Sequence, residues 1–117
     1  MAGGDREATV RVFFRIVLSN PPSLADFTSR AAQGTAPIDL DPERGRLHEG
    51  ISVYATENQA RRKAREYPFL GSFLARLELP EETPLHTEGT VRNSPGHHTL
   101  WGDPGDILRC VVVVVSV

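Results

Sequence analysis

The last eleven residues constrain the fold more than any other segment. Residues 107–117 are rich in β-branched side chains and include five consecutive valines at positions 111–115. Such side chains are restricted at χ1 and pack well on a pleated sheet, and an unbroken apolar run is typical of a strand covered on both faces. The sequence therefore predicts a deeply buried strand over residues 107–117, well inside a sheet.

Apolar and polar side chains alternate in three earlier segments, which predicts further strands at residues 9–18, 50–54 and 69–79. Two helices are predicted, at residues 24–33 after an N-cap at Ser23 and at residues 57–67 after an N-cap at Thr56. Their inward side chains should be Leu24, Phe27 and Ala31 in the first helix and Ala60, Ala64 and Tyr67 in the second.

The remaining segments predict connections. Residues 35–47 contain proline and glycine among charged side chains and indicate an exposed loop, and residues 81–106 are loop-rich with short strands at most. We expect a small α+β fold with a mostly antiparallel, twisted sheet, split into two halves, and two short helices. A chain of 117 residues fits one domain, residues 1–117, with residues 1–8 flexible.

Composition and charge argue against a nucleic-acid-binding, secreted or membrane-spanning protein. The net charge of −2 gives no overall attraction to nucleic acid, and the lone Cys110 indicates a reducing compartment. The polar start lacks the pattern of a signal peptide, and no apolar run is long enough to span a bilayer. These features favour a cytoplasmic protein or a delivered effector, with no membrane partner.

Two candidate sites lie in the first two strands. Arg15 interrupts an apolar strand, so its guanidinium either pairs with an anion in a cleft or leans into solvent. Ser52 and Tyr54 share one face of the second strand and precede a helix N-terminus, which favours a ligand wall; alternatively, Ser52 faces water and Tyr54 is partly buried. His48 and Glu49 are either an acid–base pair or ordinary loop residues.

The densest group of chemically active side chains occurs in residues 96–103: His97, His98, Thr99, Trp101 and Asp103. Adjacent histidines in a strand point to opposite faces, and metal-ligand spacing is absent, so no metal site is predicted. Trp101 is either a core residue or a stacking surface, and Asp103 begins a turn. The terminal strand should hold residues 96–106 against the core, and it brings them to Arg15 and Ser52 only if it neighbours the first two strands.

One predicted helix is basic through Arg61, Arg62, Lys63 and Arg65. Basic helices can contact phosphate, but Glu57 and Glu66 dilute this charge and aromatic side chains do not interleave with it. A solvated helix face is the favoured interpretation, and RNA binding by residues 61–65 is the alternative.

The pair Phe14-Arg15, the segment Gly50-Ile51-Ser52-Val53-Tyr54 before a helix, and the late polar cluster resemble, in this order, the layout of the ADP-ribosyltransferase superfamily. In that family an arginine on the first strand, a second strand bearing serine, threonine or tyrosine, and a late acidic, histidine or glutamine position surround NAD. The likeness spans most of the chain through short motifs. Compact members of this kind resemble bacterial toxin-type domains, and a degenerate member whose site only binds a nucleotide would fit the same residues.

The resemblance implies that Arg15 clamps the NAD pyrophosphate, that Ser52 supports the nicotinamide ribose and that Tyr54 stacks near the nicotinamide. Thr99 and Trp101 are further candidates for contact with NAD. The late catalytic position departs from the family pattern, because no glutamate stands in an E-x-E arrangement. Its candidates are His97, His98 and Asp103.

These features predict a domain that binds NAD as substrate, requires no metal and transfers ADP-ribose to a macromolecular target. Arg15 would neutralise the pyrophosphate, and a late polar group would stabilise the oxocarbenium-like centre as nicotinamide leaves. A non-enzymatic interaction module, in which the valine-rich sheet supports a partner surface, is the main alternative hypothesis.

Overall fold

The structure, a computed structural model, describes residues 10–89 and 96–117. Within these residues, six strands form one antiparallel sheet: β1 (Val10–Val17), β2 (Ile51–Tyr54), β3 (Phe73–Pro80), β4 (His86–Gly89), β5 (His97–Trp101) and β6 (Val111–Ser116). The same residues contain the helices α1 (Arg30–Gln33), α2 (Pro42–His48), α3 (Glu57–Glu66) and α4 (Pro104–Leu108), with 3₁₀ turns at Leu24–Phe27 and Pro68–Leu70. The predicted α+β class is confirmed. The predicted flexibility of residues 1–8 falls outside the described residues.

The sheet is joined narrowly at its centre. Its strand order is β4-β5-β2-β1-β3-β6. β1 is paired with β3 along its whole length, whereas its register with β2 joins Phe14 to Tyr54. The sheet therefore consists of two three-stranded halves, and β1 and β2 diverge away from this residue pair. The gap between them positions the candidate site.

Both faces of the sheet carry a buried cluster, because side chains alternate along each strand. One cluster includes Val17, Val53 and Leu77, covered by Phe27 and Ile107 from outside the sheet. The other cluster consists of Ile16, Tyr54 and Leu74 against Ala60 and Ala64 of α3. Burying each large apolar side chain contributes roughly 1.5–3 kcal/mol, so these clusters hold the two halves together.

Helix α3 begins as the sequence predicts. Thr56 accepts a hydrogen bond from the Gln59 amide and Gln59 returns one to the Thr56 amide, which satisfies two amides that the helix leaves unpaired. Ala60 and Ala64 are buried, but the predicted inward position of Tyr67 is wrong, since this side chain is 41% exposed beyond the helix end. Strand β3 starts at Phe73, later than predicted, because Pro68–Leu70 forms a 3₁₀ turn.

The predicted helix over residues 24–33 is interrupted. Residues Leu24–Phe27 form a 3₁₀ turn, and α1 starts anew because Ser29 is extended and caps it by accepting a hydrogen bond from the Ala32 amide. Phe27 is buried as expected, whereas Leu24 and Ala31 are exposed.

The second half of the loop predicted at residues 35–47 is helical, because α2 begins at Pro42. Asp41 accepts a hydrogen bond from the Arg44 amide, and Pro42 occupies the first helical position, where its missing amide costs nothing. These two residues nucleate α2 despite the glycine within it.

The prediction of a buried central strand over residues 107–117 is wrong. Asp103 caps α4, which contains Ile107, and β6 begins at Val111. β6 lies at the sheet edge beside β3, so Val112 and Val113 are 52% and 48% exposed. Cys110, between α4 and β6, is partly buried, and its thiol donates a hydrogen bond to the Asp106 carbonyl. β-branched composition indicates a strand without specifying what covers it.

Among the described residues, none of the helices has the length and apolar character needed to cross a membrane.

Candidate functional site

A cavity of about 580 Å³ opens where the two halves of the sheet diverge. Five of the side chains that the family resemblance assigned to an NAD site line it: Arg15, Ser52, Tyr54, His97 and Thr99. Three side chains from the surrounding helices add to its lining: Arg30 at the start of α1, His48 at the end of α2 and Lys63 on α3. The cavity thus draws on both halves of the sheet and on three helices.

Arg15 spans the gap between the diverging strands. Its Nε donates to the Asp26 carbonyl at 3.0 Å and its Nη1 donates to the Ser52 carbonyl at 2.9 Å. Burial lowers the pKa of the Arg15 guanidinium to about 10, and the Asp26 carboxylate and Tyr54 oppose that fall. The group is therefore a fixed cation at neutral pH, and two of its five N–H donors are used by these carbonyls.

The Asp26 carboxylate supports this arrangement from the turn after β1. It accepts hydrogen bonds from the Leu18 amide at 2.8 Å, the Ser19 hydroxyl at 2.8 Å and the Ser23 amide at 2.9 Å. Burial would raise the pKa of Asp26, but these bonds and the Arg15 charge outweigh burial and hold the pKa below its usual range. Sequence reasoning missed Asp26, although its spacing from Ser23 is that of a capping box.

Ser52 and His97 meet inside the cavity. The register of β2 with β5 sets Tyr54 opposite His97 and Ser52 opposite Thr99. The Ser52 Oγ and His97 Nε2 are hydrogen-bonded at 2.9 Å, and the His97 ring packs edge-on against Tyr54, with the centroids 5.4 Å apart. Burial raises the pKa of Tyr54, and the positive charge of Arg15 opposes this rise without cancelling it. The Tyr54 hydroxyl is therefore protonated at neutral pH.

The structure separates His98, Trp101 and Asp103 from the cavity. The His98 ring packs on Phe13, 5.0 Å between centroids, on the opposite face of β5 from His97, as alternation predicts. Trp101 donates its indole N–H to the Arg46 carbonyl at 2.9 Å, and Asp103 caps α4.

The terminal strand does not bring residues 96–106 to the site. β6 neighbours β3 only, so the proposed condition that it must adjoin the first two strands fails. β5 takes that place by pairing with β2, which puts His97 and Thr99 on the sheet face of Ser52 and Tyr54, and Arg15 reaches the same cavity from the gap between β1 and β2. Sequence reasoning allowed only short strands there and did not identify β5.

The described side chains that line the cavity include Arg15, Arg30 and Lys63 and no carboxylate. Hydroxyls of Ser29 and Ser52 add hydrogen-bonding groups. Cationic groups and hydroxyls without carboxylates favour an anionic ligand such as a phosphate ester. His48 was a sequence candidate, Lys63 was noted as part of a basic helix, and Arg30 carried no signal that would have singled it out.

Within residues 10–89 and 96–117, histidine, cysteine, aspartate and glutamate side chains form no group of three that could hold a metal ion. No protein-family model matches this chain, and neither does any curated protein or solved structure.

Proposed function

We propose that this cavity binds NAD and that the domain is an ADP-ribosyltransferase-like enzyme that transfers ADP-ribose to a macromolecular target. The observation that carries the proposal is the convergence of Arg15, Ser52, Tyr54 and His97, from distant parts of the chain, on one cavity. The cavity volume of about 580 Å³ suits a small-molecule ligand, since such pockets usually measure about 300–1,000 Å³.

In this proposal Arg15 holds the pyrophosphate. Its guanidinium is fixed by two backbone carbonyls and stays charged at neutral pH, so little side-chain freedom is lost when a phosphate binds. Arg30 and Lys63 add positive charge to the same lining. Charge-assisted hydrogen bonds of this kind are the strong ones for an anionic ligand.

His97 is the group proposed for the late position. Its Nε2 is held by the Ser52 hydroxyl, and its ring packs against Tyr54, so its orientation is defined before a ligand arrives. As the glycosidic bond to nicotinamide breaks, nicotinamide leaves with the electron pair and a nucleophile on the target forms the new bond to the ribose. An imidazole is then the group of this site best suited to take the proton of the nucleophile.

Calorimetry with NAD on the purified protein tests binding. We expect measurable heat at millimolar NAD in the wild type, a loss of at least roughly tenfold in affinity for Arg15→Ala, and partial retention for Arg15→Lys, which keeps the charge but not the planar donors. Arg76→Ala is the matched control, because Arg76 is an exposed strand arginine outside the cavity. Absence of heat in the wild type, or equal losses for Arg15→Ala and Arg76→Ala, contradicts the proposal.

A second candidate function, a non-enzymatic interaction module, is favoured by the exposed valines of the edge strand β6. An edge strand presents unpaired backbone groups, and natural edges are usually protected by charges or proline, which Val111 to Val115 lack. This candidate requires self-association or a protein partner and no nucleotide.

A further inference from the structure

Two exposed aromatic side chains stand beside the cavity. Tyr67 and Phe69 follow α3 and are 41% and 77% exposed, with ring centroids 6.0 Å apart. Their immediate neighbours Lys63 and Leu70 line the cavity, and the Lys63 ammonium lies 4.8 Å from the centre of the Tyr67 ring. Neither aromatic belongs to the two buried clusters, so packing does not account for them.

The helix beside these rings supplies positive charge. Arg62 and Arg65 are exposed on α3, whereas Arg61 is engaged by the Glu57 carboxylate and the Ser116 carbonyl. Glu66 is the acidic residue on this surface. We call Arg62, Lys63, Arg65, Tyr67 and Phe69 the rim surface. It combines aromatic rings with cations, a combination that the sequence did not predict because Tyr67 was expected to face inward and Phe69 to begin a strand.

We propose that the rim surface binds a single-stranded oligonucleotide. Bases would stack on Phe69 and Tyr67 while Arg62, Lys63 and Arg65 contact phosphates, which is how sequence-tolerant single-strand surfaces work. These contacts use base faces and backbone charge, so the surface binds DNA and RNA strands alike. A duplex, whose base faces are already stacked, binds more weakly.

The charges of the rim surface favour this occupant over a protein segment. Lys63 lies against the Tyr67 ring and continues the positive charge into the cavity, and Arg62 and Arg65 are exposed on the adjoining helix. A bound strand would therefore pass the cavity mouth. If the proposed function holds, the oligonucleotide is the macromolecular acceptor, and this last step alone rests on that function.

Fluorescence anisotropy with labelled oligo-dT and oligo-U of about 12 nucleotides, in low salt and without NAD, tests the proposal. We expect both strands to bind and a duplex of equal length to bind at least several-fold more weakly. Phe69→Ala should weaken binding roughly tenfold through lost stacking. Arg62→Ala should lower the slope of log affinity against log salt by about 0.7, the value for one phosphate contact on a single strand.

Arg109→Ala is the charge-matched control, because Arg109 is exposed next to α4, pairs with Asp106 and lies outside the rim surface. It should leave affinity unchanged, and Glu66→Gln should strengthen binding by removing the negative charge. Thermal unfolding checks that each variant is folded. No binding of either strand at low salt overturns the proposal, as do equal losses for Arg62→Ala and Arg109→Ala. Calorimetry with NAD is a separate measurement, so the two proposals can fail independently.

Discussion

Asp26 determines where the Arg15 guanidinium lies. Its backbone carbonyl accepts a hydrogen bond from Arg15 Nε. Its carboxylate stabilises the turn after β1 by accepting hydrogen bonds from two backbone amides and a hydroxyl. Asp26 therefore stabilises the turn after β1 and also contacts the Arg15 guanidinium that lines the cavity. The guanidinium of Arg15 is thus held by the backbone carbonyls of Ser52 and of Asp26, and the Asp26 carboxylate fixes the turn that presents the second carbonyl.

Asp26→Asn should lower the free energy of unfolding by about 1–3 kcal/mol at pH 7. The side-chain amide of asparagine has one acceptor oxygen for the three hydrogen bonds that the carboxylate accepts, and its NH₂ group would face the hydrogen-bond donors of the turn. The lowered pKa of Asp26 stabilises the folded state above the ordinary aspartate pKa, and this contribution is lost as the pH falls below about 4 toward the folded pKa. Urea denaturation between pH 3 and 7 should therefore show a shallower acid loss in the variant. Asp39→Asn, at an exposed position, is the control and should match the wild type.

At the scale of elements, α3 supports both proposed surfaces. It packs through Ala60 and Ala64 on the sheet, lines the cavity with Lys63 and carries the cations of the rim surface. Its position depends on a start fixed by Thr56 and on small side chains that let the helix approach the strands closely.

Thr56→Ala should destabilise the domain by about 1 kcal/mol, because the Gln59 amide loses its acceptor. Asn58→Ala, an exposed substitution in the same first turn, should have little effect or a slight stabilising one. Chemical denaturation measures both changes. Equal effects of the two substitutions would contradict a capping role.

At the scale of the whole molecule, the narrow junction between the sheet halves creates the cavity and leaves the valine-rich β6 at the far edge. The two candidate functions therefore use different parts of the sheet, its central junction and one of its edges. They can be tested separately.

If β6 mediates self-association, light scattering should give twice the monomer mass at tens of micromolar protein, and Val113→Lys should restore the monomer. Val113 is 48% exposed, so the substitution should cost little stability. Val10→Lys is the matched control, since Val10 is 43% exposed on the inner strand β1. A wild-type monomer at these concentrations would exclude association through β6.

Local signals identified the elements that depend on neighbouring residues. Alternation indicated β1, β2 and β3, and Thr56 marked the start of α3. The same reasoning failed where an element depends on a short capped turn, as for α2 after Asp41, or on a partner strand, as for β5. It also merged Leu24–Phe27 with α1 because the extended Ser29 leaves little trace in composition.

For the candidate site, the sequence indicated Arg15, Ser52, Tyr54, His97 and Thr99 as residues of interest, and all five line the cavity. It could not separate them from His98 and Trp101, because the face of β5 that meets the cavity is set by its register with β2. Arg30 and Asp26 act through contacts that only folding creates.

The sequence by itself determined the fold class, because hydrophobic periodicity and caps act between residues that are close in the chain. Tertiary structure alone decided which strand lies at the edge, where the sheet opens and which charges share the cavity. Those outcomes depend on pairing between distant strands, and the same valine-rich run is compatible with a buried or an exposed position. The terminal valines thus predicted a strand, and the pairing of β3 with β1 and β6 placed that strand at the sheet's edge.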